Sequence, residues 1–442
     1  MAEALSEYLW PSVAYLVTGV VHALLLLGLV AVGTVIFIWM ERKIAGRIQD
    51  RLGPTRVGGK FGWLQTVADG LKLATKEDTM PRDADPILFK LAPYIGLCAS
   101  YATFIVLPFA TGWAAVSSSI SIFLIIAILG LEVFSVILAG YASGSKWSLF
   151  GGMREAAQVV SYEVPLGLCV LVPVMIAGTM DLNAIGEMQR GWFTNWLVFH
   201  DPFTFIVFWV YLTCATASVN RAPFDLAEAE SELVAGFHTE YSGVRWSVFF
   251  MAEYNSMLLV SMLASILFLG GWHGPLPVFD WAGIAYESAA SPFSWGGFLA
   301  NVFGIANLIL KGFLGVAVMM WVRWTLPRLR IDQVMRTCLK YCTPIACFCF
   351  LGAAIWCWAF PGGVLLKPAP FAGVRETDEM IFTLSAEATD GVANSSGEEA
   401  DAGEAATGEV AASEQGEPAA QQPNSVDSNA TPEPAALAGG EQ

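Results

Sequence analysis

Long apolar runs without charge constrain the fold of this chain more than any other feature of its sequence. Eight runs have close to the ~20 residues that a helix needs to cross the ~30 Å hydrocarbon layer of a membrane. They cover residues 13–40, 89–111, 117–141, 158–178, 203–219, 247–270, 299–322 and 339–360. Because 55% of the 442 residues are hydrophobic, a water-soluble globule is excluded. We expect an all-α, polytopic integral membrane protein with about eight transmembrane helices.

The positive charges indicate how these helices are oriented. All but four of the 23 Lys and Arg residues lie in or beside the connectors after the first, third, fifth and seventh spans. The four exceptions are Arg190, Lys311, Lys367 and Arg375. Since connectors rich in Lys and Arg stay in the cytoplasm, we predict that these four connectors are cytoplasmic. Both termini would then lie on the opposite side of the membrane.

The negative charge is concentrated at the carboxyl end. The formal net charge is −16, and most of it comes from residues 372–442, which are rich in Ala, Glu, Gly, Ser and Pro. A segment of this composition buries too little apolar surface to offset the entropy lost on folding. We therefore predict an eight-helix transmembrane domain over residues 1–371 and a disordered acidic tail over residues 372–442. A docking arm is the alternative for the tail.

Neither the cysteines nor the histidines form a pattern that is typical of a metal or redox site. The eight Cys include no C-x-x-C pair, and five of them crowd the last span, where thiols pack as small apolar groups. The four His are scattered singly, and no glycine-rich phosphate-binding motif occurs. We expect no metal, bound cofactor, redox centre or catalytic residue on this chain, and no nucleic-acid partner.

The first cytoplasmic connector, residues 41–88, predicts a surface helix. Apolar positions between Trp63 and Ala74 recur at helical spacing, with polar residues between them, which is typical of an amphipathic helix at a membrane interface. A helix that forms part of the wall of a cavity would show the same pattern. The basic groups that follow the first span are also suited to lipid headgroups.

The connector at 220–246 holds the densest group of carboxylates. Pro223 suits the first turn of a helix, and in that helix Asp225, Glu228 and Glu232 would share one stripe. Acids near a helix N-terminus stabilise it locally, which alone could explain them. Because the connector is short and lies between two spans, we favour partial burial. Clustered carboxylates would then raise each other's pKa and titrate as a coupled set.

Four charged residues fall inside the predicted spans: Glu132, Glu163, Glu253 and Lys311. At the bilayer centre each costs about 2.5–3.5 kcal/mol, so each is a candidate functional residue. Snorkelling to the interface is the simpler account, and it is strongest for Glu253. In the orientation predicted above, the three glutamates lie in the cytoplasmic half of the membrane. They would continue the carboxylate cluster inward.

At these residues the chain closely resembles a family of membrane subunits from bacterial proton-translocating NADH:quinone oxidoreductase. Members of this family are the counterparts of NADH dehydrogenase subunit one in mitochondrial complex I. The resemblance is carried by residues 41–54, 69–77, 161–165, 220–241 and 324–333, and it spans most of residues 13–360. The block at 220–241 is long and specific. The acidic tail has no place in the family pattern.

The resemblance implies roles for individual residues. It implies a quinone chamber formed in part by the first and third cytoplasmic connectors, with Arg42, Arg51, Asp69, Glu77, Arg221, Phe224 and Asp225 lining or gating it. It also implies a proton path from the acidic connector into the membrane through Glu228, Glu230, Glu232, Glu240, Glu163, Glu132 and Glu253. Quinone, either ubiquinone or menaquinone, would be the substrate. NAD, FMN and iron–sulfur clusters would belong to partner subunits.

The implied function is that of a membrane subunit which couples quinone reduction to proton translocation in the bacterial inner membrane. Its expected partners are the hydrophilic-arm subunits of the quinone module, the small and antiporter-like membrane subunits, and the lipid bilayer. The homologous subunit of an energy-converting hydrogenase-type complex, an independent proton-coupled transporter and a structural anchor remain as alternatives. No inverted repeat with a midplane pocket, typical of a transporter, is recognisable in the sequence.

Overall fold

Apolar helices dominate the structure, a computed structural model that describes residues 11–276 and 295–359. Within these ranges seven helical segments are long and apolar enough to cross a membrane. The same ranges contain no β-strand, only one isolated bridge between Ala110 and Trp113. The chain is therefore an all-α polytopic membrane protein, as the sequence predicts. The predicted acidic tail lies outside the described residues.

The helices follow the predicted spans in order. They are α1 (Pro11–Ile48), α2 (Gln65–Thr75), α3 (Pro86–Val106), α4 (Ser121–Ala142), α5 (Lys146–Ala177), α6 (Leu182–Met188), α7 (Pro202–Ser218), α8 (Glu230–Leu233), α9 (Gly243–Phe268), α10 (Trp295–Thr325), α11 (Ile331–Met335) and α12 (Thr343–Ala359). A π-helical segment, Arg336–Cys342, joins α11 to α12. The fifth predicted span falls on α7, whose 17 residues are the shortest length that crosses a bilayer.

Aspartate caps fix the starts of two of these helices. The Asp85 side chain accepts hydrogen bonds from the backbone of Ile87 and Leu88, and Asp201 accepts one from the Thr204 backbone at 2.7 Å. Each cap precedes a proline at the first helical position. Proline there loses no intrahelical bond and has the φ angle that a helix requires.

Helix α9 lies at the centre of the bundle. Of its most apolar stretch, 83% is buried by protein, against 50% or less for the other long segments. It packs against α1, α3, α7 and α10. Contact with α10 depends on Gly315, where a Cβ atom would lie 2.8 Å from Cβ of Ser261. Small residues of this kind let two helices approach closely without help from the hydrophobic effect.

Two helices extend well beyond the predicted spans. Helix α1 continues to Ile48 instead of ending at residue 40, and α5 begins at Lys146 instead of residue 158. The predicted spans stop where charged residues begin, but backbone hydrogen bonds can continue past the edge of the lipid. As a result Glu41 and Glu155 belong to helices, whereas the sequence placed them in connectors.

The predicted helix after Pro223 is wrong. Asn220, with a φ of 53°, ends α7, and the Arg221 amide donates back to the Thr216 carbonyl, which is the pattern of a Schellman motif. Residues 221–229 then form turns, followed by the four-residue α8 and a 3₁₀ turn at Gly236–His238. Nearly every side chain from 221 to 229 is buried. A segment enclosed on all sides has no exposed polar stripe, so the helical spacing of its acids is a poor guide to its structure.

Helix α2 confirms the amphipathic helix of the first connector. Two of its large apolar side chains, Val67 and Leu71, are exposed together with Trp63 just before it, while Thr66 is buried and Leu73 is partly buried. The exposed apolar side chains are available to lipid or a partner, and the place of this helix at the interface stays a prediction.

Lys311 of α10 has a structural role in this fold. Its ammonium donates to the carbonyls of Leu269, Gly271 and His273 at 2.7, 2.9 and 2.7 Å, and it lies 4.7 Å from the centre of the Trp196 ring. All three donors of the ammonium are used. The three carbonyls lie just past the end of α9, so Lys311 closes the terminus of the central helix opposite to Glu253.

We expect Lys311→Met to destabilise the protein because it leaves the carbonyls of Leu269 and Gly271 without a donor, while the carbonyl of His273 still accepts from Asn307. Each such group costs about 1–3 kcal/mol, so the midpoint of thermal unfolding in detergent should fall clearly. Lys60→Met, at an exposed lysine, is the matched control and should melt like the wild type. Equal midpoints for both variants would contradict this role.

Candidate functional site

A buried ionic cluster forms where α1, α9 and α10 meet the loop after α7. Glu41 of α1 is only 6% exposed. It accepts hydrogen bonds from the Tyr254 hydroxyl and from Arg323, and Arg221 Nη1 lies 3.3 Å from its Oε2. Three donors from three other parts of the chain therefore converge on one carboxylate.

Arg221 joins this carboxylate to a second one. Its Nε lies 2.7 Å from Oε1 of Glu253, and its guanidinium carbon lies 4.4 Å from the centre of the Tyr254 ring. The side chain is 3% exposed. A charge buried to this degree is tolerated only when it is paired. The loop is thus held in place by a guanidinium that faces two glutamates and an aromatic ring.

The loop carboxylates have unequal environments. Asp225 pairs with Arg328 at 3.0 Å, and Glu228 pairs with Nε2 of His238 at 3.0 Å. Burial and the neighbouring charge of Glu228 raise the pKa of Asp225. Burial also opposes the charge of Glu228, but the hydrogen bond and charge of His238 prevail and lower its pKa to about 2. Of the two, Asp225 is therefore the carboxyl that takes up a proton more readily.

A small polar cavity lies beside this cluster. It has a volume of about 40 Å³ and is lined by apolar groups together with Glu132, Asn220, Glu228, His238 and Glu253. A water needs about 10–15 Å³ of such space and two to four polar partners. The cavity can therefore hold a few waters in contact with three carboxyl groups.

A much larger cavity lies between α1, α2 and the start of α9. Its volume is about 610 Å³, within the range of about 300–1,000 Å³ that holds small organic ligands. Its lining includes the aromatic side chains of Trp246 and Phe250 and the paired side chains of Arg42 and Asp69. Such a site suits a flat, largely apolar molecule with a few polar atoms.

The two cavities share a wall of rings. His238 lines the small cavity, and its ring centre lies 5.8 Å from that of Phe250 and 6.2 Å from that of Trp246, which line the large one. Glu228, held by His238, is therefore one side chain away from the large cavity. A change of charge there would be felt by the carboxyl groups behind the wall.

The structure brings together eight of the residues singled out from the sequence. Two line the large cavity, three lie buried in the loop, and three surround the small cavity: Arg42, Asp69, Arg221, Phe224, Asp225, Glu228, Glu253 and Glu132. Glu132 also accepts a hydrogen bond from the Ser256 hydroxyl. Snorkelling does not account for Glu253, whose carboxylate faces Arg221 instead of the interface.

Other predicted site residues lie apart from both cavities. Arg51 is exposed and bonds Gln49, and Glu77 is also exposed. Glu232 pairs with Arg154 at 2.6 Å at the surface. The half-buried Glu240 and the exposed Glu163 of α5 line neither cavity, and the side chain of Glu230 lies outside what the structure describes.

Sequence reasoning missed several residues in or beside the cluster. They are Glu41, Glu155, His238, Tyr254 and Arg323. Glu41 was visible as an acid at the end of an apolar run, and His238 lies ten residues after Glu228. Glu155 could not be singled out from the sequence, because α5 begins before the apolar run from which the membrane span was predicted. Among the described residues no group of three His, Cys, Asp or Glu side chains could hold a metal ion.

Comparison with known proteins assigns the chain to a family. A family model described as NADH dehydrogenase matches residues 21–354. The chain belongs to the NADH dehydrogenase family. A relative from Chlorobium luteolum, named as a subunit of NADH-quinone oxidoreductase and designated H, is 44% identical over 321 residues, which are 72% of this chain and 83% of the relative. One of the same name from Anaeromyxobacter dehalogenans is 41% identical over 343 residues, 77% of this chain and 82% of the relative.

Family membership confirms the resemblance drawn from the sequence. The matched region, residues 21–354, contains both cavities and the ionic cluster. The relatives are named as parts of an enzyme, NADH-quinone oxidoreductase. The site is therefore part of a membrane protein whose relatives are named as subunits of NADH-quinone oxidoreductase.

Removing Arg221 should destabilise the chain strongly. Arg221→Gln leaves Glu253 buried without its cation, and breaking a buried pair in this way costs about 3–5 kcal/mol. Arg221→Lys should be intermediate because one ammonium cannot face two carboxylates as a guanidinium does. The level of the subunit in membranes and its thermal unfolding test this. Arg56→Gln, at an exposed arginine, should behave like the wild type, and an equally stable Arg221→Gln would disprove the proposed role.

His238→Ala should reverse the pH dependence that Glu228 contributes to stability. In the wild type the pKa of Glu228 is about 2, so its stabilising effect is complete above the unfolded value of about 4.3 and is lost only in stronger acid. Without His238, only the charges of Arg221 and Arg323 oppose the effect of burial on the pKa of Glu228. We expect burial to prevail, so stability should decline as the pH rises above about 4.3. Thermal unfolding between pH 5 and 8 measures this slope. The double variant His238→Ala with Glu228→Gln should show no such slope, because the titrating carboxyl is gone. A slope that persists in the double variant would refute the assignment of this pH dependence to Glu228.

Proposed function

We propose that this chain is the membrane subunit of a proton-translocating NADH:quinone oxidoreductase and forms the membrane side of its quinone chamber. The observation that carries the proposal is the 610 Å³ cavity, which is separated from a buried carboxylate cluster by a single wall of rings. The names of the relatives supply the reaction. A quinone site beside a proton-binding cluster is what coupling of the two processes requires.

The large cavity is suited to a quinone head group. Trp246 and Phe250 offer flat aromatic surface, and Arg42 and Asp69 offer polar groups. Arg221, Phe224 and Asp225 lie in the buried loop and would transmit changes in the chamber to the cluster. Arg51 and Glu77, both exposed in the first connector, would serve at the approach to the chamber.

Coupling would be electrostatic. Reduction of a quinone to a quinol consumes two electrons and two protons, so the charge in the chamber changes until the protons arrive. Arg221 faces Glu41 and Glu253 together, and a shift of its position would alter how protons are shared among the cluster carboxyls. In a medium of low dielectric constant each such step is worth more than it is in water.

Protons would move from the loop into the membrane domain. Glu228, Glu253 and Glu132 border the small cavity, whose waters would connect them. Glu230, Glu232 and Glu240 would collect protons at the loop, and Glu163 would pass them to the next membrane subunit. Electrons would come from an iron–sulfur cluster of a neighbouring subunit, where NAD and FMN would also bind.

The proposed setting is the bacterial inner membrane. The four basic connectors would face the cytoplasm, where the quinone-module subunits of the hydrophilic arm would cover the chamber. Small and antiporter-like subunits would pack against the membrane domain.

Purification of the tagged chain in mild detergent tests this function. The proposal expects a multi-subunit assembly with inhibitor-sensitive NADH oxidation by a short-chain quinone, and proton uptake when the assembly is placed in lipid vesicles. Glu163→Gln should lower both activities, and wild-type levels of both would exclude its coupling role. Isolation of a lone chain, or of an assembly that evolves hydrogen, would overturn the assignment.

Filling the large cavity should weaken quinone binding. Ser247 lines the cavity, so Ser247→Phe should raise KM for a short-chain quinone severalfold while KM for NADH stays unchanged. Ser119→Phe, at an exposed serine in another connector, is the matched control. An unchanged quinone KM for Ser247→Phe would show that the head group binds elsewhere.

A further inference from the structure

One buried acid near the cluster has no part in the function proposed above. Glu155 of α5 is fully buried, as is Gln158, and the two lie on one helical stripe with Gly151 and Tyr162. The stripe faces the carboxylate loop. At Gly151 a Cβ atom would lie 2.8 Å from the Ala227 carbonyl oxygen and from the Phe237 amide nitrogen, so α5 and the loop are in direct contact there.

Glu155 is buried without a cation. Neither of its carboxyl oxygens makes a hydrogen bond of ordinary geometry, and both are closed off from solvent. The adjacent Arg154 points away and pairs with Glu232 at 2.6 Å. The closest polar partner is the amide of Asn220, whose oxygen accepts from Nε2 of Gln158 at 3.0 Å. An ionised carboxylate in such a place would be uncompensated.

The surrounding charges also favour a neutral Glu155. Its charged and titratable neighbours are Asp225 of the loop, Glu132 of α4 and Tyr162 of its own helix. Six carboxyl groups share the buried region with three arginines and one histidine: Glu41, Glu132, Glu155, Asp225, Glu228 and Glu253. Carboxyls that exceed the available cations in a dry region keep protons.

Glu155 also has a route to the small cavity. Asn220 touches Glu155 and lines that cavity, together with Glu132, Glu228 and Glu253. The cavity has room for a few waters, which can carry a proton between carboxyl groups. Asn220 is positioned by Gln158, and its backbone has a left-handed φ of 53°. A movement of this one amide would open contact between Glu155 and the cavity waters.

We propose that Glu155 is a further proton-carrying residue of the coupling machinery and that Asn220 controls its exchange with the small cavity. In the step assigned to it, the O–H bond of the neutral Glu155 carboxyl breaks, its proton passes through a cavity water, and an O–H bond forms at Glu132 when that carboxyl has given up its own proton. No electron moves in this step. The proposal rests on the function proposed above for its physiological purpose, but the protonation of Glu155 can be measured independently.

The first test is infrared spectroscopy of the purified assembly at stepwise increasing pH. The wild type should show a carbonyl stretch of a protonated carboxyl at pH 7 that is missing in Glu155→Gln and present in the exposed control Asp50→Asn. This readout requires no activity, so it distinguishes failure of this inference from failure of the proposed function. Identical spectra for wild type and Glu155→Gln would overturn the proposal.

The second test is kinetic. In the assembled complex Glu155→Gln should slow coupled quinone reduction and proton uptake about tenfold or more, as loss of a positioned proton carrier does. Glu155→Asp should restore part of the rate with a shifted pH profile, which a purely structural side chain would not produce. A wild-type rate and pH profile in Glu155→Gln would overturn the proposal. So would failure of both variants to assemble, since that result assigns Glu155 to folding.

Discussion

The pairing of Arg221 with two glutamates is the interaction on which this site depends. A guanidinium with almost no exposed surface must be compensated by charge, so the loop after α7 has only one position in which it is stable. That position fixes Phe224 and Asp225, and the Leu329 amide donates to the carbonyl of Pro223 at 3.0 Å. The ends of α1, α9 and α10 are thereby tied to one irregular segment.

Irregular backbone suits this task better than a helix would. A helix presents its side chains on a cylinder, whereas the turns at 221–229 direct side chains toward α9 and the segment after α10 and bring the Ala227 carbonyl against α5. Non-helical backbone near a membrane needs partners for its amides and carbonyls. Burial among helices supplies them, and it also creates the dry surroundings in which small charge movements have large effects.

The sequence was sufficient for the class of fold and for part of the site. Hydropathy located the membrane helices, and the acids at 225, 228, 132 and 253 do cluster. The sequence-based prediction was wrong where tertiary contacts override the local pattern, as in the loop after Pro223. It was also incomplete where a helix extends beyond its apolar stretch, and for this reason Glu155 was not singled out. The two arginine partners of Glu41 are 180 and 282 positions away in the chain. No local pattern can indicate such pairs.

The same separations have a consequence for biosynthesis. Glu41 enters the membrane region with the first helix, but Arg323 is translated 282 residues later, which at about 5–20 residues per second takes roughly 14–56 s. Until then the nascent chain carries an acid that lacks one of its two arginines, and before Arg221 is made it lacks both. The ionic cluster can close only after α10 has been inserted. A prematurely terminated chain would expose that acid, a mark by which quality-control proteases can recognise it.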